Sequence, residues 1–405
     1  MTRTTTYDVA GVRAHFPSLV DGAAHFDGPG GSQTPDLVAR AIHDTLTRPL
    51  SNLGAPTRAS RNAAEAVEAA RAAMADLLGA DPAGVVFGRS MTQLTMDAAR
   101  AMAKDWGPGD EVVVTRLDHD GNVRPWVIAA ESVGATVRWA DFDPATSELG
   151  PDTIGDLLTE RTRLVAVTGA SNLIGTMPDV RAIADLVHRT DAWLYVDAVH
   201  LAAHAPVDLA ALGADFVACS PYKFLGPHCG VLAGRVELLE RLRPDKLLPS
   251  SDGVPERFEL GTLPYELLAG TTAAVDFLAS LVPGEGSRRE RLVASMAAVE
   301  AHEDWLRVRV EDGLADLPGT ACWSRARRRT PTLLVTFDGH AAADVADHLA
   351  QRGVNAPAGS FYALEASRVL GLGDAGGLRI GIAPHTDDAD VDRLLDALRE
   401  HPGSA

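Results

Sequence analysis

Apolar positions in the first two thirds of the chain fall into short β-branched runs, separated by longer Ala- and Leu-rich stretches with helical spacing. Candidate strands are residues 85–88, 112–115, 137–140, 164–168, 193–197, 216–219 and 231–233. Several are almost wholly apolar, the pattern of strands covered by helices on both faces. Candidate helices at 63–78, 91–104, 126–132, 153–158 and 180–188 lie between them. This alternation predicts an α/β fold with a mostly parallel, seven-stranded sheet. The last pair leaves room for an antiparallel return, because residues 220–230 hold turn-forming residues and no helical period.

The texture changes at residue 287. A long helical stretch (287–317) leads to a strand (332–337), a helix (341–352), a second strand (378–383) and a final helix (388–400). These elements predict a small α+β C-terminal domain. The Pro/Gly-containing stretch 281–286 marks the boundary, giving a large domain of 25–286 and a small one of 1–24 with 287–405. No internal repeat or low-complexity tail is evident.

A net charge of −18 argues against a partner that presents a phosphate backbone or an anionic membrane, so neither nucleic acid nor membrane is expected. An anionic small ligand must then be caught by a few placed groups. The three cysteines, Cys219, Cys229 and Cys322, form no CxxC pair, so neither a metal site nor a disulfide framework is expected. The first 20 residues lack the apolar core of a signal peptide, and no apolar run reaches membrane-spanning length. A cytoplasmic location is the expectation.

Against that background one lysine stands out. Lys223 sits in Ser220-Pro-Tyr-Lys-Phe-Leu-Gly-Pro227, between a strand end and a Gly-Pro turn, far from the nearest lysines, Lys104 and Lys246. Partial dehydration at such a place depresses an amine's pKa and suits it to Schiff-base chemistry, although a surface lysine in a turn reads the same way. The decisive partner is Asp197, which follows four apolar residues at the carboxyl end of the 193–197 strand, 26 residues before Lys223. Pyridoxal 5′-phosphate (PLP) requires an anion at its pyridinium nitrogen, and Asp197 has that address.

Together these motifs resemble the aminotransferase class V family of fold-type I PLP enzymes, closest to its cysteine desulfurase-like branch. The resemblance runs from Phe26-Asp-Gly-Pro-Gly-Gly-Ser-Gln33 to Arg379. It implies a fold-type I PLP-dependent transferase, with PLP on Lys223 and Asp197 at the ring nitrogen. His119, in Leu117-Asp-His-Asp-Gly-Asn122, is implied to stack on the ring. Met91 (main chain), Thr92, Ser220 and Tyr222 are implied at the phosphate. Asn172 is implied at the cofactor's 3′-oxygen, faced by His200 where relatives commonly carry glutamine. Thr262 is implied to reach a neighbouring active site, hence a homodimer with shared sites. Arg379 is implied to clamp the α-carboxylate of an amino acid substrate.

Besides His200, the chain departs from desulfurases at Tyr222, where they usually carry histidine, and at one loop. Where they carry a mobile-loop cysteine, this sequence reads Val354-Asn-Ala-Pro-Ala-Gly-Ser-Phe-Tyr-Ala363. Phe361 and Tyr362 suggest instead an aromatic wall, or a phenolic acid/base, over the substrate. Gly28–Gly31 and Asn52–Thr57 are expected on the pocket's other side, while Arg58 and Arg124 stay unassigned. The leading expectation is carbon–sulfur β-elimination from cysteine or an S-substituted cysteine. The alternatives are aminotransfer or decarboxylation-dependent deamination of a cysteine conjugate, true desulfuration or selenocysteine lysis, and a non-catalytic PLP-binding protein.

Overall fold

The computed structural model describes residues 7–401, so the outermost residues of the expected small domain lie outside the described region. Seven strands form the central sheet in the order Val85–Gly88, Gly230–Gly234, Phe216–Cys219, Trp193–Asp197, Thr162–Thr168, Glu111–Thr115, Thr136–Ala140. All run parallel except Gly230–Gly234, which is antiparallel to both its neighbours. The antiparallel return after Lys223 is thereby realised.

Side-chain alternation shows why these runs are apolar throughout. Phe87, Val113, Val165, Val167, Leu194, Val196 and Val217 pack into one buried cluster, with the helices Arg58–Leu78, Val180–Val187 and Tyr265–Leu278. Their neighbours Val86, Val112, Val114, Leu164, Ala166, Tyr195 and Phe216 pack into a second, under the helices Met91–Ala103 and Arg124–Val133. A strand sends successive side chains to opposite faces, so a sheet sandwiched between helix layers needs apolar residues at both parities.

A second, four-stranded antiparallel sheet orders Ala358–Gly359, Gly377–Gly381, Thr332–Phe337 and Thr320–Cys322. Leu333, Val335, Leu378 and Ile380 face its core, shared with Ala24 and Phe26 and with Leu306, Val310 and Leu314 of the helix Arg288–Ala315. That helix starts in a capping box between Ser287 and Glu290. Its first half contributes Leu292, Met296 and Val299 to the large sheet's core, so one rod spans both cores. The helices Asp36–Thr47 and Tyr265–Leu278 and the short strands at 24–25, 320–322, 354–355 and 358–359 add to the elements expected from the sequence. Helix ends otherwise move by a few residues, as at Pro151–Gly155 where 153–158 was expected.

Candidate active site

The large sheet delivers its chemistry at the carboxyl ends of its strands, where parallel sheets open a crevice. Thr168, Asp197 and Ser220 end or follow three adjacent strands, and all line one cleft with Lys223. Lys223 closes a single 3₁₀ turn, Pro221–Lys223, that separates the parallel from the antiparallel strand. Its Nζ donates to the carbonyl of Pro29, within the expected Gly28–Gly31 wall. The inner chamber is lined further by Met91, Thr92, His119, Asn172, His200 and Tyr222. A wider outer chamber adds Arg124, Phe361, Tyr362 and Arg379.

Period-two alternation aims Arg379. Leu378 and Ile380 face the small core, so the residue between them points to the opposite face, into the cleft. Gly381 lets this strand close on the wall, since a Cβ there would lie 2.1 Å from Pro29 Cδ. Arg379 is 1% exposed. It donates from Nη1 to the Asn172 carbonyl at 3.1 Å, and its guanidinium lies 3.6 Å from the centroid of the Phe361 ring.

Burial and neighbouring charge tune these groups. Burial brings the Lys223 amine down to about 7, helped by the Arg379 cation and opposed by Asp197. Burial pushes Asp197 up to about 6, against the Val199 N–H that its Oδ1 accepts at 2.8 Å and the Lys223 cation. His119 falls to about 4 through burial and the Lys223 charge, so it is neutral. Its Nδ1 accepts from the Gly121 N–H at 2.9 Å, which leaves the proton on Nε2. Depressed lysine and raised aspartate in one cleft are the mark of a worked site.

The cleft suits PLP. Helix Met91–Ala103 points its N-terminus at it, with Ser90 capping through the Gln93 N–H. Free N–H groups and the helix dipole there favour a phosphate. The Met91 N–H donates to Ser220 Oγ at 3.1 Å, leaving the Ser220 hydroxyl proton available to an anion. Asn172 Oδ1 and Arg379 Nε are buried without partners, although both residues line the cleft. Buried polar atoms are normally satisfied, and a ligand with a ring oxygen and a carboxylate brings groups that can do so. His119, Met91, Thr92, Asn172, Asp197, His200, Ser220, Tyr222 and Lys223 are thus gathered around one chamber.

Thr262 is not among them; it lines a separate cavity with Arg89, Gln93, His228 and Cys229, and meets a cofactor only if a second subunit supplies one. Arg58 is exposed at a helix start, and Asn52–Thr57 is an exposed turn outside the cleft. Asp118 was missed: buried beneath Asp197, it binds Thr115 and accepts from Asn122 Nδ2 at 2.7 Å, and burial pushes it up to about 8. Its place beside His119 was a usable signal. None of the three cysteines lines either chamber. Burial raises all three thiols, Cys229 to about 11.

The known proteins that this chain resembles agree with the geometry. The aminotransferase class-V profile matches residues 24–394. An uncharacterized protein of Mycobacterium tuberculosis (strain CDC 1551 / Oshkosh) is 37% identical, over 97% of this chain and 98% of that one. The aminotransferase-like protein FGM3 of Gibberella zeae is 31% identical, over 97% and 98%. Cysteine desulfurase CsdA of Escherichia coli (strain K12) is 30% identical over 97% of each chain. The crystal structure of CsdA from E. coli superposes with a TM-score of 0.85 at 29% identity, covering 97% of this chain and 98% of that one.

Fold and cleft therefore define a fold-type I PLP-dependent enzyme. The chain belongs to the aminotransferase class-V family and is cysteine desulfurase-like. Its cofactor is PLP. Among the described residues no helix is long and apolar enough to cross a membrane.

Proposed function

We propose that this enzyme breaks the Cβ–S bond of cysteine or an S-substituted cysteine by β-elimination, without a persulfide-forming cysteine. The observation that carries the reading is a cleft with Lys223 on its floor and Arg379 on its wall, and no thiol among its lining residues. In a desulfurase the attacking thiol takes the sulfur; here nothing in the cleft is placed to accept it, so sulfur leaves with its own substituent.

The residues divide the work. Arg379 presents a planar fork suited to an α-carboxylate, held flat by Phe361. Asp197 supplies the anion at the ring nitrogen, and a cation beside it restores its charge despite burial. His119, neutral and flat, holds the ring's face. Bound PLP supplies the electron sink for negative charge at the substrate's Cα. Lys223, an amine with a pKa of about 7, takes the Cα proton. The C–H electron pair becomes the Cα=Cβ bond as the Cβ–S pair leaves with sulfur, which takes up a proton as thiol. The released enamine hydrolyses to pyruvate and ammonia.

The same reading keeps the domain boundary at residues 281–286, with the larger domain around the cofactor. It also assigns a homodimer, in which Thr262 of one subunit reaches the other's phosphate, and a cytoplasmic location. The test is product analysis by mass spectrometry with cysteine and a panel of S-alkyl and S-aryl cysteines. Pyruvate with the matching free thiol is the expected result. Loss of CO₂, or a cofactor left as pyridoxamine phosphate, would replace this reading with decarboxylative deamination or aminotransfer.

A further inference from the structure

Behind the inner chamber a line of buried titratable side chains runs from His200 to the long helix, and the reaction above uses none of them. His200 lines the chamber with Asp197 and Lys223. Its Nε2 lies 2.9 Å from Thr330 Oγ1 and 3.0 Å from Thr332 Oγ1, so two hydroxyls fix the ring's orientation. Four residues on, His204 meets it edge to face, with centroids 4.7 Å apart and planes at 68°. His204 Nδ1 lies 2.8 Å from Glu303 Oε2. The Glu303 side chain is 0% exposed, and its Oε1 has no hydrogen-bond partner.

A fully buried carboxylate with one oxygen unsatisfied is costly, and a protein without use for it would gain by an apolar residue. Its surroundings are mixed. Glu303 is faced by His204, by Asp304 and Glu300 from its own helix, and by Tyr7 from the N-terminal segment. Arg329 stands across a small adjoining cavity. His200 in turn is faced by His204, Lys223 and Arg379. The series thus begins at a buried anion and ends at the lysine.

We propose that Glu303 and His204 are a charge-setting pair, positioning residues that act through His200 on the proton affinity of the lysine–cofactor centre. The carboxylate keeps a proton on His204 Nδ1 and places negative potential behind His200. That potential favours the cationic forms of the cleft, which the Arg379 cation opposes. Burial pushes Glu303 itself up to about 7, with His204 pulling the other way, so this carboxyl can gain or lose charge near neutrality. The inference rests on cofactor binding alone, whichever bond the enzyme breaks, so product analysis and this test fail independently.

The experiment is a pH titration of the visible absorbance of bound cofactor, with the melting temperature recorded alongside. The proteins are the wild-type holoenzyme, Glu303→Gln, Glu303→Asp and the double variant His204→Gln/Glu303→Gln. Removing an anion makes a cation harder to keep, so Glu303→Gln and the double variant are expected to lower the midpoint by on the order of one pH unit. Glu303→Asp, which keeps the carboxylate, is expected to stay near wild type. A purely structural role would lower the melting temperature and leave the midpoint in place, and that result overturns the proposal. So does a shift in Glu303→Asp as large as in Glu303→Gln. Should Glu303→Gln not fold, the double variant, which keeps an amide pair, carries the test. Should neither fold, NMR titration of the Glu303 carboxyl in the wild-type holoenzyme decides: a step shared with the absorbance midpoint is expected, and an independent one overturns the proposal.

Discussion

Lys223 and Asp197, on the floor of the cleft, and Phe361 and Tyr362, on its rim, face the same space but are held in different ways. The floor residues sit at the ends of strands buried on both faces, and the sheet leaves them little freedom. The rim residues follow the short strand Ala358–Gly359 and take left-handed backbone angles, φ 52° at Phe361 and 60° at Tyr362. Each such residue costs on the order of 1–3 kcal/mol unless its surroundings impose the conformation. Here the Asp120 N–H donates to the Tyr362 carbonyl at 2.7 Å, and Asn172 Nδ2 donates to the Phe361 carbonyl at 3.0 Å. Two floor-side segments thus hold the rim in place, and under the proposed function the floor carries the chemistry and the rim selects the substrate.

The largest test of that division is Lys223→Ala. Loss of the proton-transferring amine alone is expected to cut turnover by roughly 10²–10⁴-fold, and product release that persists would remove the mechanism. Arg379→Ala comes next: losing a buried charged clamp should lower kcat/KM by about 10²-fold or more, mostly through KM, measured by initial rates over substrate concentration.

Cofactor capture by the apoenzyme gives a pH test of the floor. Only the neutral amine attacks an aldehyde, and Lys223 has a pKa of about 7. The capture rate, followed by absorbance, should therefore rise about tenfold per pH unit below 7 and level off above it. A profile still rising steeply at pH 9 would mean that burial does not depress this lysine.

Changes at the rim should be milder. Phe361→Ala removes the aromatic face beneath the Arg379 guanidinium, an interaction worth about 0.5–2 kcal/mol, so kcat/KM should fall between about twofold and thirtyfold with substrate-dependent size. Tyr362 is 76% exposed, and Tyr362→Phe is expected to change rates by no more than about twofold. A large loss there would make the phenol an acid/base and erase the distinction between floor and rim.

Asp197 was legible because a parallel sheet writes its active edge locally: an apolar run ends, and the next polar residue is at the crevice. Lys223 was legible as an isolated lysine between a strand end and a Gly-Pro turn, and Arg379 through the family resemblance. The Gly28–Gly31 wall was legible too, whereas Asn52–Thr57 lies outside this chain's own cleft; nothing in a turn's composition says which surface it meets. Asp118 lay in a motif already quoted, yet its burial beneath Asp197 depends on how two strands align.

The sequence by itself determined the α/β alternation, the lysine and aspartate that meet in the cleft, and the lack of a thiol between residues 354 and 363. These are matters of residue order within one element, where period and polarity suffice. Tertiary structure alone decided what meets across elements. It laid Phe361 on Arg379, put Thr262 outside its own chain's cleft, and joined His204 to Glu303 across 99 residues. Such contacts follow from how separate layers close on one another, and no periodicity within a segment encodes the partner that another segment will bring.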